Sequence, residues 1–290
     1  MSNFSTIYKK TFKQILYPQG YKSWKRFFYK ETDSVCYFIQ ANKVAHTPRY
    51  DMSIDIIPYC ADLMSNEYEP PEGYDIAIIY KAIASDVVAS KGAMEFFKER
   101  FNASDDEATL SSLDAICNDM EDLILPYIHK FEDLDFCFDG LLGLRKAGGC
   151  KSDEQALEDY ILYGLALKLH KYKNAFPYVD FRLLRNKEIL EQSSDNQAKL
   201  RNRDLIGTMD SRWSLESREK LAKSILRRQP DFFESQIRAS EETIANSEKR
   251  ITQLKNVKEA LLLSDSNYLD KLVAETEESS REYIRKMING

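Results

Sequence analysis

Tyr21-Lys22-Ser23-Trp24-Lys25-Arg26-Phe27-Phe28-Tyr29-Lys30 interleaves aromatic and cationic side chains. On a strand, such a stretch can stack bases on Trp24, Phe27 or Tyr29 while lysine and arginine side chains meet phosphates. The nucleic-acid-binding set this predicts is Lys22, Trp24, Lys25, Arg26, Tyr29 and Lys30. The plainer reading is a half-buried strand with its aromatics inward and its cations in water. No RNP-like motif accompanies the stretch.

Other chemistry-bearing residues are scattered. Asp133, Asp135 and Asp139 lie beside Glu132, and three carboxylates could hold Mg²⁺ or Ca²⁺. The central glycine and terminal glutamate of a calcium loop are missing, so a helix with a solvated edge accounts for them. Asp51 and Asp55 share a strand face, as two acids do in nuclease cores, but the acid-x-lysine strand such a core needs is not found. Cys36 and His46 are linked by one strand and would be neighbours across a hairpin, although a buried, inert cysteine is the plainer account. Neither G-x-S-x-G nor a P-loop occurs. Arg201, Arg203, Arg212, Arg218, Lys220, Lys223, Arg227 and Arg228 make a second basic region with acidic neighbours, which a solvated helix face explains. The sequence therefore nominates no catalytic residue, no metal ligand and no cofactor.

The elements that must position these residues begin with a helix over 3–17, where Phe4, Ile7, Tyr8, Phe12, Ile15 and Leu16 recur at helical spacing. Pro18 and Gly20 stop it. Tyr21 to Lys30, Val35 to Val44 and Tyr50 to Tyr59 read as a strand meander, and short links argue for antiparallel pairing. Met52, Ile54 and Ile56 alternate with Asp51, Ser53 and Asp55, the pattern of a strand with one wet face. Tyr74 to Tyr80 reads as a fourth strand, and Asp86 to Phe101 as a helix. Ser104 with Glu107 has capping-box spacing. The helix that follows places Leu110, Leu113, Ile116, Met120 and Leu123 on one face and ends at Pro126. Gly148-Gly149 suggests a domain boundary. Beyond it, Ser152 with Gln155 caps a helix, Tyr178 to Glu191 forms another, and Ser193 to Asp204 reads as a loop or frayed helix. Ser214 to Arg228 is helical. Asp231 to Leu263 is the longest helical signal, about 50 Å at 1.5 Å per residue. Ile237, Ile244 and Ile251 repeat every seven residues there, with Ser240, Ser247, Leu254 and Leu261 in the companion position, where two serines weaken a coiled-coil seam.

The start of the chain resembles the bacterial family catalogued as domain of unknown function 4304. The resemblance rests on Leu16 to Lys22, Phe27-Phe28-Tyr29, Phe38-Ile39-Gln40 and Met52-Ser53-Ile54-Asp55-Ile56. It covers roughly the first 80 residues and departs at Trp24 and Lys25. It implies a bacterial α+β protein of unassigned activity and carries over no catalytic residue.

The bulk numbers set bounds. A chain of 290 residues can bury a sizeable core. Five cysteines without a C-x-x-C pair fit reduced thiols. The absence of a signal-like or membrane-spanning apolar run predicts a cytoplasmic protein with no membrane partner. Charge is uneven: residues 1–50 carry nine Lys/Arg against two Asp/Glu, and residues 51–153 carry eight against twenty-two. Either basic and acidic segments face each other, or a basic patch meets an anionic partner.

The expectation is an α+β fold. An N-terminal helix packs on a small antiparallel sheet of three to four strands. An all-helical C-terminal part follows, ending in an antiparallel helical hairpin over about 231–288. Domains are expected at 1–147 and 148–290. The expected function is a non-enzymatic protein–protein interaction module, binding a protein partner or a second copy of itself through the C-terminal helices. The alternatives are nucleic-acid binding through 21–30, and a hydrolase-type enzyme with a cleft between the two parts.

Overall fold

A computed structural model describes residues 3–66, 68, 74–83, 101–229 and 231–290. The helix expected at 86–101 lies outside these residues, apart from Phe101. The fold is α+β, with an antiparallel sheet followed, among the described residues, by helices. By compactness the chain divides into Met1–Pro177 with Ser266–Gly290, and Tyr178–Asp265, whereas the sequence suggests a boundary at 147/148.

In the first unit, α1 (Phe4–Leu16) buries Phe4, Tyr8, Phe12, Ile15 and Leu16 on one stripe. Gly20, at φ 85°, makes the left-handed turn into the sheet. Five strands pair as an antiparallel meander in chain order, where three to four were expected: β1 (Lys22–Trp24), β2 (Phe27–Glu31), β3 (Val35–Lys43), β4 (Tyr50–Pro58) and β5 (Tyr74–Asp75). The extra strand arises because Tyr21 to Lys30 is a hairpin rather than one run. Trp24 pairs with Phe27 across a two-residue tip, and Lys25 adopts a left-handed φ of 48°.

β3 lies centrally and is covered on both faces, as its apolar run predicts. Phe28, Ile39 and Ile54 fall on one face, where Tyr8 meets Phe28 edge-on at 5.6 Å. Trp24, Phe27, Tyr29, Phe38, Gln40, Ser53 and Asp55 share the other. The wet face expected of β4 is wet only at its start, since Asp51 is exposed but Asp55 is 4% exposed.

Tyr74 to Tyr80 is not a strand. After two paired residues the chain becomes α2 (Ile76–Ile83). The Asp75 carboxylate accepts from the Ala77 amide at 2.8 Å, and Ile76, Ile79 and Tyr80 bury a helical stripe.

α3 (Asp106–Asp119) is capped by Asp105, which accepts from Ala108, and not by Ser104. Pro126 does not end this helical run. A wide π-type turn over Met120–Ile124 leads into α4 (Leu125–Ile128), where Pro126 sits in the first turn without needing its missing N–H. Leu113, Ile116 and Met120 are buried and Leu110 faces solvent; beyond Met120 the extra residue in that turn shifts the stripe, so Ile124 is buried while Leu123 faces solvent. α5 (Leu134–Ala147), α6 (Asp153–Ala156) and α7 (Tyr160–Lys168) follow. Ser152 caps α6 as expected, accepting from the Gln155 amide at 3.2 Å. The last helix, α11 (Ser266–Asn289), completes this unit and buries Leu269, Val273, Ser280 and Ile284.

The second unit holds most of α8 (Phe176–Arg201), then α9 (Leu215–Arg228) and α10 (Phe232–Leu263). α8 continues into the segment expected as a loop or frayed helix at 193–204 and ends at Arg201; Gln197, Ala198, Lys199, Leu200 and Arg201 are good helix formers and Leu200 is buried. Asp180 meets Lys258 at 2.6 Å and Arg201 meets Glu241 at 3.1 Å, so α8 and α10 run antiparallel. Leu200, Leu205, Ala222 and Phe233 form the apolar cluster of this unit. Both helices expected of the terminal hairpin are present, and the boundary between units falls at the turn joining them, where Ser264 takes φ 53°.

Candidate functional site

The β1–β2 hairpin and the end of α11 flank an open groove of about 700 Å³, lined by Trp24, Lys25, Arg26, Phe27, Tyr68, Tyr283, Lys286 and Met287. Its lining is apolar and aromatic, and the ionic groups among its lining residues are three cations, of which Lys286 pairs with Glu282 at 2.8 Å. Trp24 stacks on Phe27 with ring centroids 5.3 Å apart and planes 23° apart. The row continues through Phe38, which Phe27 meets edge-on and Tyr29 stacks upon at 6.2 Å. Lys25 Nζ lies 4.7 Å from the Trp24 ring and Arg26 lies 5.2 Å from that of Phe27.

α11 is held against the loops of the sheet by side chains that donate to main-chain carbonyls. Ser280 Oγ donates to Ala61 at 2.5 Å, Arg281 donates to Asp33, and Tyr283 donates to Tyr68 at 2.8 Å. The Arg281 guanidinium also lies 3.8 Å over the Tyr59 ring. Lys168 with Glu277 and His170 with Asp270 add ion pairs at the other end of the helix. Tyr68 in turn donates its hydroxyl to Asp55 at 2.8 Å. Burial, then the Asp55 charge, push the Tyr68 phenol well above its ordinary value, so it stays a neutral donor.

The six residues predicted to bind nucleic acid are not all brought to one face. Lys22, Trp24 and Tyr29 share one sheet face, and Lys25 and Arg26 form the hairpin tip beside it. Lys30 points to the opposite face, 3.7 Å from Glu132 and 5.8 Å from the centroid of the Tyr21 ring. That pair joins the basic start to the acidic middle segment. Lys25 and Arg26 form no ion pair among the described residues. Phe27, proposed as a stacking surface, is only 5% exposed and serves as the groove's floor. Sequence reasoning missed Tyr68, Tyr283, Lys286 and Met287.

The remaining candidates are dispersed. Asp133 caps α5 by accepting from Asp135 and Phe136, and Asp135 pairs with Lys171 at 3.0 Å. No group of three His, Cys, Asp or Glu among the described residues could hold a metal ion. Cys36 lies at the start of β3 and His46 in the turn beyond its other end, Lys43, which is about 23 Å from Cys36 along the strand at 3.3 Å per residue. They are not neighbours, and burial pushes the Cys36 thiol well above its ordinary range. Asp51 and Asp55 stand about 13 Å apart by the same spacing, one exposed and one bonded to Tyr68. In the second basic region, Arg201, Arg203, Arg212 and Lys220 pair with Glu241, Glu234, Asp210 and Glu216. No helix among the described residues is long and apolar enough to cross a membrane. No family model, curated protein or solved structure matches the chain.

Proposed function

We propose that the protein is a binding module that takes an anionic ligand with flat apolar parts into the groove between the β1–β2 hairpin and α11. One observation carries this reading: the half-buried rings of Trp24 and Tyr283, over a floor of buried Phe27 and Tyr68, meet cations at Lys25, Arg26 and Lys286 around one open space. Two of these cations, Lys25 and Arg26, have no acidic partner among the described residues. Aromatic surface gives contact area at low entropic cost, and cations at the mouth raise the local concentration of an anion.

The test uses the two tryptophans, Trp24 and Trp213. In a Trp213→Phe variant, emission reports on Trp24 alone. Anilinonaphthalene sulfonate, a flat ring system bearing one sulfonate, is expected to quench that emission saturably, and to do so more weakly in a Lys25→Asn/Arg26→Gln variant. Emission indifferent to the dye counts against the groove as a site.

A second reading has its own support. Leu262 and Leu263, adjacent at the end of α10, are 68% and 72% exposed, and Leu184 on α8 is 60% exposed. Apolar side chains left in water in this way suit a protein partner or a second copy of the chain. Light scattering after size exclusion tests the self-association form, and a monomer at high concentration removes it.

A further inference from the structure

We infer that the occupant of the groove is a single-stranded nucleic acid, bound by stacking and charge without preference for base sequence. This deepens the groove reading and rests on it. Every unit of a single strand carries a flat base and one phosphate, so a repeating polymer can satisfy the aromatic row and the cations together. Trp24 and Tyr29, both half-buried on the same sheet face, are the two accessible rings of that row. Lys22 stands directly opposite Tyr29 in the register, on that same face but outside the groove lining. An acidic peptide fits less well. The edge strand beside the groove, β1, has three residues, too short a ladder to recruit a partner strand by main-chain pairing.

The lack of sequence preference follows from how the hydroxyls are used. Tyr68 and Tyr283 are the lining residues with hydroxyls, and each donates within the protein, to the Asp55 carboxylate and the Tyr68 carbonyl. What remains for a ligand is flat apolar surface and three cations. Base edges are read by donors and acceptors held at fixed positions, whereas the donors left here are the Trp24 indole N–H and three cations on flexible stems. Ring faces are common to all bases.

Occupancy also requires a local exchange. Lys25 Nζ lies over the Trp24 ring, and a base taking that place would release the ammonium to a phosphate. Lys25 is exposed at the hairpin tip, with no ion pair to break among the described residues.

The test titrates ten-residue oligo(dT), oligo(rU) and oligo(dA), and separately polyglutamate, into the Trp213→Phe variant while following Trp24 emission. The three oligonucleotides are expected to quench it with affinities within about ten-fold of one another. With three cations on phosphates, affinity should fall with salt at a log–log slope of about −2. Trp24→Ala, followed by polarisation of a labelled oligo(dT), should weaken binding about ten-fold. Lys25→Asn/Arg26→Gln should remove about two-thirds of the salt slope. Asparagine tolerates the left-handed backbone at position 25, so this variant keeps the hairpin. Quenching by polyglutamate but by no oligonucleotide overturns the inference and leaves the groove standing with a protein ligand. Oligonucleotide binding that neither variant changes overturns it by placing the strand elsewhere. A dye response with no response to any polymer overturns it as well, whereas loss of the dye response strikes the groove itself.

Discussion

The Tyr283 hydroxyl donates to the main-chain carbonyl of Tyr68 at 2.8 Å, across 215 positions of chain. That bond brings the end of α11 to the hairpin face and makes Tyr283 a wall of the groove. Tyr283→Phe keeps the ring and removes the donor. We predict a loss of about 1 kcal/mol, the net value of one such bond, seen as a fall of a few degrees in the melting transition. Dye affinity at the groove should weaken at the same time. An unchanged melt with weakened dye binding would show that the bond shapes the groove without holding the helix.

A second close approach fixes α7 against the end of β4. A Cβ added at Gly164 would stand 2.3 Å from the Cys60 carbonyl oxygen and 2.7 Å from its carbon, both backbone atoms that cannot swing aside. Gly164→Ala should therefore destabilise by about 1–3 kcal/mol through overpacking, despite the better helix propensity of alanine. Denaturant unfolding measures it. A neutral or stabilising result would mean that the loop at Cys60 yields freely.

The buried tyrosines predict an alkaline limit. Tyr8, Tyr21 and Tyr68 are each 3% exposed or less, and burial raises each phenol above its ordinary value of 10.0. The neutral form is favoured only in the folded chain. The stability they contribute is complete below pH 10.0 and is lost as pH climbs above that value, because the unfolded chain releases these protons first. Tyrosinate absorbance for these rings should rise together with loss of helical signal. Ionisation of all seventeen tyrosines ahead of unfolding would contradict the burial argument.

Much of the scaffold was legible because burial and periodicity coincide. The stripe of α1 and the covered run of β3 read directly from residue type. The failures have local causes. Ile76, Ile79 and Tyr80 satisfy a helical stripe as well as an apolar strand, and a short apolar run cannot separate the two. One extra residue in the turn at Met120–Ile124 exchanges Leu123 for Ile124 in the core, and nothing in the spacing announces it. Half of the groove was visible as the aromatic and basic run at 21–30. Its other wall, Tyr283, Lys286 and Met287, lies on an ordinary amphipathic helix, and only tertiary packing brings it to Trp24. Lys30 shows the converse: a residue in the right stretch is carried to the wrong face by strand alternation.

That opposite face supports a prediction at acid pH. His129 Nε2 lies 3.3 Å from the Tyr21 hydroxyl, its ring stacks on Tyr21 at 6.2 Å, and Tyr37 meets it edge-on at 5.8 Å. Burial, with Lys30 adding to it, lowers the imidazole below its ordinary 6.5, and Glu132 opposes the shift. The neutral ring is thus favoured in the fold. Its contribution to stability is present above pH 6.5 and is lost as pH falls from there through the lowered folded value, since the unfolded chain binds the proton first. His129→Gln offers an uncharged partner to the Tyr21 hydroxyl and cannot titrate. Unfolding midpoints taken from about pH 7 to about pH 5 should decline more steeply in the parent than in this variant. Parallel declines would assign the acid sensitivity to the carboxylates and leave His129 as a packing residue.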